Sequence, residues 1–269
     1  MVRIAIVAGG GSLPRILAIA CKDLGMEVFI LALRDNTDPE VVAGFPNRWI
    51  AIGEVKRGIE ILNEENVQKV VFAGPVRRPT FKELSLDVWA FKKAAQLGIA
   101  WLGDNSILSS LVCVLEEEGF EVIGADEILA SSLVEARCYG KYSPTKKLWE
   151  DIRHGMFVAR GIGKLDIGQA AVVQQGIVLG VEGIDGTDPL IQRCSNLRRS
   201  GTGPVLVKAC KPQQERRIDL PTIGLNTIKL LQENGFSGVA VEAGASLILE
   251  ISKLTDLANS AGLFVIGVD

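Results

Sequence analysis

The sequence predicts a two-domain α/β protein, with a parallel sheet layered by helices in its first half and a distinct α/β domain in its second. Three observations predict this. Hydrophobic residues make up 48% of the 269 residues and aromatics only 6%, so the core is aliphatic, which suits Val/Ile strands under Ala/Leu helices. Strand-like and helix-like stretches alternate through residues 3–124. That rhythm then breaks around Ser131–Pro144, in a stretch with no helical period that ends in Ser-Pro. The boundary is therefore set there, giving domains of 1–130 and 144–269 joined by a linker.

Each element has its own signal. Arg3–Ala8 is a short apolar strand that ends at Gly9-Gly10-Gly11-Ser12. Pro14 suits the first turn of the next helix, where its missing N–H costs nothing, and Gly25 suits the position after its end. Strands follow at 27–33, 49–52, 69–73 and 121–124, with helices at 55–65, 82–97 and 105–118 between them. In the second half a helix is expected at 144–162, then a hairpin turning at Gln174-Gln175-Gly176. Helices at 187–198, 225–234 and 252–261 alternate with strands at 204–210, 238–242 and 263–268. No fixed-period repeat is visible.

Composition excludes several classes of chemistry. No apolar run reaches the 18 or so residues of a membrane span, and the N-terminal apolar stretch is expected to be a buried strand rather than a signal peptide. The five cysteines are odd in number and widely spaced, without a C-x-x-C, which argues against structural zinc and disulfides and fits a reducing, cytoplasmic compartment. A single histidine, His154, cannot build a two-histidine metal site and is expected at a helix surface. Residues 1–135 hold 13 Lys/Arg against 19 Asp/Glu, and residues 136–269 hold 16 against 13. The second half is thus the better host for a polyanion, although the bias is too weak for nucleic-acid binding.

Candidate functional residues cluster in four places. The Gly9–Ser12 turn joins a strand to a helix start, where backbone N–H groups favour an anion, but its G-x-G-x-x-P spacing departs from the dinucleotide fingerprint. Arg77 and Arg78 lie in a Pro-bracketed loop at the carboxyl end of a buried strand, where open sheets bind ligands. Lys208, Lys211, Arg216 and Arg217 alternate with Glu215 and Asp219 after an apolar strand. Arginine and lysine hold phosphate oxygens, and a carboxylate among such cations stays ionised, able to bind Mg²⁺ or orient water. Glu182, Asp185, Thr187 and Asp188 follow another apolar strand, as does Glu242; Thr187 or Asp185 could equally cap the next helix.

These stretches resemble the LpxI-type UDP-2,3-diacylglucosamine pyrophosphatases of Gram-negative bacteria. The resemblance covers nearly the whole chain, through VAGGGSLP (7–14), FAGPVRRP (72–79), KYSPT (141–145), GKLDIGQAAVV (163–173), VLGVEGIDGTD (178–188), VKACKPQQERRIDLPTIG (207–224), GVAVEAG (238–244) and GLFVIGVD (262–269). The segment around Asp219-Leu220-Pro221 is its most specific part.

The resemblance implies an N-terminal Rossmann-like domain, a distinct C-terminal domain and Mg²⁺-assisted hydrolysis of a lipid-linked sugar nucleotide to 2,3-diacylglucosamine 1-phosphate and UMP. Carried over residue by residue, Asp219 is the catalytic aspartate, and Asp219 with Asp188 supplies the metal donors. The substrate-binding set is Gly10, Gly11, Arg77, Arg78, Lys141, Gln169, Thr187, Asp188, Lys208, Lys211, Arg216, Arg217 and Glu242. A homodimer and transient contact with the inner membrane surface are also implied. Read without the resemblance, the residues leave two alternatives open: a nucleotide-dependent oxidoreductase using the glycine turn, and a non-catalytic lipid or nucleotide binder.

Overall fold

The structure is a computed structural model that describes residues 2–77, 89, 93, 104–212 and 215–269. The expected helix at 82–97 lies outside the described residues apart from two positions. The chain divides into two compact units, Met1–Ala130 with Glu215–Asp219, and Ser131–Gln214 with Leu220–Asp269. Residues 131–143, read as a linker from sequence, belong to the second unit.

The first unit is built on five parallel strands: β1 (Arg3–Ala8), β2 (Glu27–Leu33), β3 (Asn47–Ile50), β4 (Lys69–Ala73) and β5 (Glu121–Ile123). Their order is β3-β2-β1-β4-β5, the arrangement of a Rossmann-like sheet, in which the strand order reverses beside β1. The helices are α1 (Leu13–Asp23), the short α2 (Pro39–Val42), α3 (Val55–Glu64), α4 (Asp104–Glu117) and α5 (Ala125–Ile128). Pro14 lies in the first turn of α1, and Gly25 follows its end with φ 75°. Both sheet faces are covered, as parallel sheets require. Ala5, Val7, Phe29 and Leu31 form one core with Ile59 and Leu62 of α3 and Val112 and Leu115 of α4. The alternate residues Ile4, Ile6 and Ile30 are also fully buried, as are Leu17 and Ala18 of α1.

The second unit carries β6 (Cys138–Tyr139), β7 (Ala170–Gln174), β8 (Ile177–Val181), β9 (Val205–Lys208), β10 (Thr222–Ile223), β11 (Gly238–Glu242), β12 (Leu247–Ile248) and β13 (Phe264–Val268). Six of these form a mixed sheet in the order β6-β13-β11-β9-β7-β8, and β10 pairs with β12 separately. Strands β9, β11 and β13 run parallel, whereas β7 is antiparallel to β9, and β6 is antiparallel to β13. The β7–β8 turn places Gln175 at φ 54° and Gly176 at φ 77°, the two positive values that a two-residue hairpin needs.

Helix α6 (Lys146–Lys164) covers one face of the mixed sheet, with Ile152, Met156 and Ala159 against Val205, Val207 and Ala240. At Gly155 an added Cβ would stand 2.5 Å from Val207 Cγ2, so this glycine sets the close approach of helix to sheet. Helices α7 (Thr187–Ser195), α8 (Leu225–Glu233) and α9 (Ile251–Ala261) cover the other face, burying Leu190, Ile228 and Leu254 with Leu206 and Val239. No helix among the described residues is long and apolar enough to cross a membrane. All five cysteines are free, and burial pushes the Cys21 thiol up to about 11, as suits an inert core residue.

Candidate functional site

In the first unit, the first two glycines of the turn after β1 bond to a neighbouring loop. The Gly9 N–H donates to the Ala73 carbonyl and the Gly10 N–H to the Pro75 carbonyl, each at 2.8 Å. Gly74 sits at φ 86°, and any Cβ there would run into the Gly10 carbonyl, so two glycine-containing loops pack backbone to backbone. The Arg77 N–H is tied to Asn36 Oδ1 at 2.7 Å, and its side chain is exposed. Gly11 and Ser12 are exposed at the start of α1, where Ser12 makes no side-chain cap. Arg78 lies outside the described residues.

In the second unit, polar side chains gather at the ends of β7, β8 and β9. The pairing Ala170↔Lys208, with the Glu182 N–H on the Ala170 carbonyl at 2.8 Å, sets Glu182, Ala170 and Lys208 in one row across three strands. Lys208 is 6% exposed and donates to the Thr222 carbonyl at 3.3 Å. It has no carboxylate at ion-pair distance among the described residues. An ammonium carries three donors, and burying its charge is costly unless it is paired.

The remaining groups at this end of the sheet largely satisfy one another. Glu182, also 6% exposed, accepts from the Gln169 N–H at 2.8 Å and from Thr187 Oγ1 at 2.5 Å. It thereby brings a negative charge to the start of α7, where the helix dipole favours it. The Gln169 side-chain carbonyl, in contrast, is buried without a hydrogen-bond partner among the described residues. Glu242 accepts from Arg160 at 2.6 and 3.1 Å and from the Cys210 N–H at 2.7 Å. Lys211 pairs with Asp166 at 2.8 Å, and Asp188 accepts from the Asn226 amide at 2.9 Å. Lys141 is exposed, with its N–H on Asn259 Oδ1 at 2.7 Å. His154 is exposed on α6, one ring nitrogen 3.1 Å from the Gly176 carbonyl.

The segment that contains Asp219 belongs to the first unit. The Glu215 carbonyl accepts from the Ile218 and Asp219 N–H groups at 3.0 and 3.2 Å, closing a single turn. Arg217 forks onto the Glu215 carboxylate at 2.9 and 3.0 Å and reaches Glu116 of α4 at 2.6 Å. Ile218 packs against the first unit's core, and Asp219 and Arg216 are half-buried and exposed respectively. Arg217 holds the Glu215 carboxyl below its ordinary value by hydrogen bonding, and the two glutamates, Glu215 foremost, hold the guanidinium above its own. No group of three or more His, Cys, Asp or Glu that could hold a metal occurs among the described residues.

The structure thus brings Gln169, Thr187 and Lys208 to one sheet end with Glu242 and Lys211 on strands and loops of the same unit, and sets Gly10, Gly11, Arg77 and the 215–219 segment in the other. Sequence reasoning overlooked Arg160, Asp166 and Glu116. Each acts as an ion-pair partner from a distant stretch, and nothing in the local sequence signals such a partner.

Fold and polar groups together define a two-unit α/β protein with a buried lysine at the sheet end of its second unit. Residues 3–132 match the LpxI N-terminal domain and residues 135–266 the LpxI C-terminal domain, so the chain belongs to the LpxI family. It is 38% identical over 276 residues to a Caulobacter vibrioides protein named UDP-2,3-diacylglucosamine pyrophosphatase LpxI, covering 100% of this chain and 98% of that one. Among solved structures, CobK precorrin-6A reductase matches with a TM-score of 0.37 at 14% identity, covering 100% of this chain and 88% of that chain. The leucoanthocyanidin reductase–NADPH complex from Vitis vinifera matches with a TM-score of 0.30 at 10% identity, covering 99% and 77%.

Proposed function

We propose that this protein hydrolyses the pyrophosphate bond of UDP-2,3-diacylglucosamine, giving 2,3-diacylglucosamine 1-phosphate and UMP in lipid A synthesis. The observation that carries the reading is the full-length match to a relative named for that activity. The buried Lys208, with a carbonyl as its hydrogen-bond partner, supports it as a binder of phosphate oxygens. In the reaction a water oxygen bonds to one phosphorus while the bridging P–O bond breaks. The leaving phosphate takes the bonding electrons, and the proton lost by the attacking water passes to solvent. Asp219 is the carboxylate assigned to orient that water or to hold a metal ion. Lys208 is the cation assigned to the phosphate oxygens.

Mg²⁺, when bound, neutralises negative charge on the phosphate oxygens. Mg²⁺ is usually held by one or two carboxylates, with phosphates and water completing its shell. Asp219 is the carboxylate proposed here to supply such a donor. Because the substrate bears acyl chains, the enzyme works at the cytoplasmic surface of the inner membrane, in transient contact with it.

The rival oxidoreductase reading needs free N–H groups in the glycine turn for a dinucleotide pyrophosphate. The Gly9 and Gly10 N–H groups are already bonded to the Ala73 and Pro75 carbonyls, which weighs against it. The test is incubation with UDP-2,3-diacylglucosamine and Mg²⁺, read as UMP release, beside an NAD(P) titration followed by tryptophan fluorescence. UMP release without saturable dinucleotide binding is the expected result. No UMP, or micromolar NAD(P) binding, overturns the proposal.

A further inference from the structure

The 215–219 segment has the composition of a phosphate-binding strand, yet its charges are directed at its own neighbours. Arg217 offers five N–H donors, and three of them are engaged: Nε and Nη2 on the two Glu215 oxygens at 2.9 and 3.0 Å, and Nη1 on Glu116 at 2.6 Å. Two carboxylates face one guanidinium, so this group carries no surplus positive charge for a substrate. The fork geometry fixes direction as well as distance. The Arg217 N–H also points at Glu215 Oε1, at 3.3 Å.

Glu215 is the hub of this arrangement. Its carboxylate holds Arg217, and its carbonyl receives the N–H groups of Ile218 and Asp219 at 3.0 and 3.2 Å. Glu116 supplies the anchor on α4, and Ile218 inserts into the same core as Val112 and Leu115 of that helix. A Cβ added at Gly124, just beyond β5, would come within 3.7 Å of the Arg217 Cα. The segment is therefore seated at the carboxyl end of a parallel strand, the edge where open α/β sheets place ligands.

We infer that Glu116 and Arg217 form a clasp that positions Asp219 for the hydrolysis proposed above, with Arg217 a positioning residue rather than a phosphate ligand. This rests on Asp219 being the catalytic carboxylate. The clasp fixes the turn from which Asp219 projects, and displacement of a reacting group by about 1 Å can cost on the order of 100-fold in rate. A clasp and a phosphate ligand respond oppositely to loss of Glu116. Removing that carboxylate loosens a clasp, but it leaves a phosphate-binding arginine more available to an anion.

The experiment compares steady-state kcat and KM for UDP-2,3-diacylglucosamine in wild type, Glu116→Gln, Arg217→Lys and Asp219→Ala, with thermal midpoints measured alongside. Glu116→Gln is close to isosteric, and Arg217→Lys keeps the charge but loses the fork. The expected result is a fall in kcat of about tenfold in both clasp variants, with KM within about twofold and thermal midpoints near wild type; tenfold corresponds to about 1.4 kcal/mol. Under single-turnover conditions, Glu116→Gln should add nothing to Asp219→Ala, because both act through one carboxylate.

Wild-type kcat in Glu116→Gln and Arg217→Lys overturns the clasp. So does a raised KM in Arg217→Lys combined with a lowered KM in Glu116→Gln, which marks a phosphate ligand. Multiplicative losses in the double variant overturn it as well and leave the hydrolase reading standing. Near-wild-type turnover by Asp219→Ala removes the clasp and the assignment of Asp219 together.

Discussion

The turn after β1 in the first unit and the end of β9 in the second both lie at carboxyl ends of parallel strands, and they are equipped in opposite ways. In the first unit the Gly9 and Gly10 N–H groups are bonded to the Ala73 and Pro75 carbonyls, with Gly74 pressed against Gly10, and Gly11 and Ser12 stay exposed. In the second, Lys208 is buried against the Thr222 carbonyl, and among the described residues the buried Gln169 side-chain carbonyl has no partner. A glycine-rich strand–helix turn is therefore an anion site only where its N–H groups remain available. Position in the fold nominates a site, and leftover hydrogen-bonding capacity decides whether a ligand can use it.

The largest expected effect is at Asp219, which shares the first unit with the glycine turn. Asp219→Ala should lower kcat by roughly 10²–10⁴-fold, the scale for one positioned acid–base group, while substrate binding is kept. Turnover within about threefold of wild type would return the chemistry to some other group. Next in size is Gly74→Ala. A side chain at φ 86° meets both left-handed strain and the Gly10 carbonyl, so a loss of about 3 kcal/mol of stability is expected in chemical denaturation. An unchanged denaturation midpoint would mean that the two loops do not pack as described.

Lys208→Met tests the second unit. Losing one charge-assisted contact with phosphate should weaken substrate binding about 30-fold, near 2 kcal/mol, by calorimetry. Thermal stability should hold or rise, because a buried charge is replaced by an apolar side chain. A destabilised variant with unchanged affinity would make Lys208 a structural residue.

The smallest effect concerns pH. The Glu215 carboxyl is lowered by its hydrogen bond to Arg217, so its contribution to stability is complete above the ordinary value of 4.5 and is lost as pH falls through the lower folded value. The stability gap between wild type and Glu215→Gln should therefore shrink between pH 6 and pH 3, by under about 1 kcal/mol for so open a pair. A gap that stays constant with pH would show that the pair does not bind its proton differently on folding.

Much of the architecture is legible because period and punctuation are local properties. Alternating apolar strands and helices, Pro14 at a helix start, Gly25 after its end and the Gln175-Gly176 turn each declare themselves within a few residues. What stayed hidden depends on distant partners. Strand β6 is two residues long and exists through its antiparallel pairing with β13, more than 120 positions away, so its stretch reads as a linker. The short third strand lies at Asn47–Ile50 rather than 49–52, because its register is set by pairing with β2.

The candidate site divides in the same way. The density of cations in 208–217 is visible, but their use is not: Lys211 faces Asp166, and Arg217 faces Glu116 across 101 positions of sequence. Charge pattern alone cannot separate a cation reserved for a ligand from one neutralised by the fold.

The membership of Glu215–Asp219 in the first unit has a consequence for how the protein can be divided. The chain passes between units at 130/131, again at 214/215 and again at 219/220. No single cut separates the two bodies. A fragment beginning at Ser131 would carry the 215–219 segment without the helix that receives Arg217 or the core that receives Ile218. A fragment ending at Ala130 would leave Glu116 without its arginine partner. The halves can be told apart by their family matches, but neither can be expressed alone without losing these contacts.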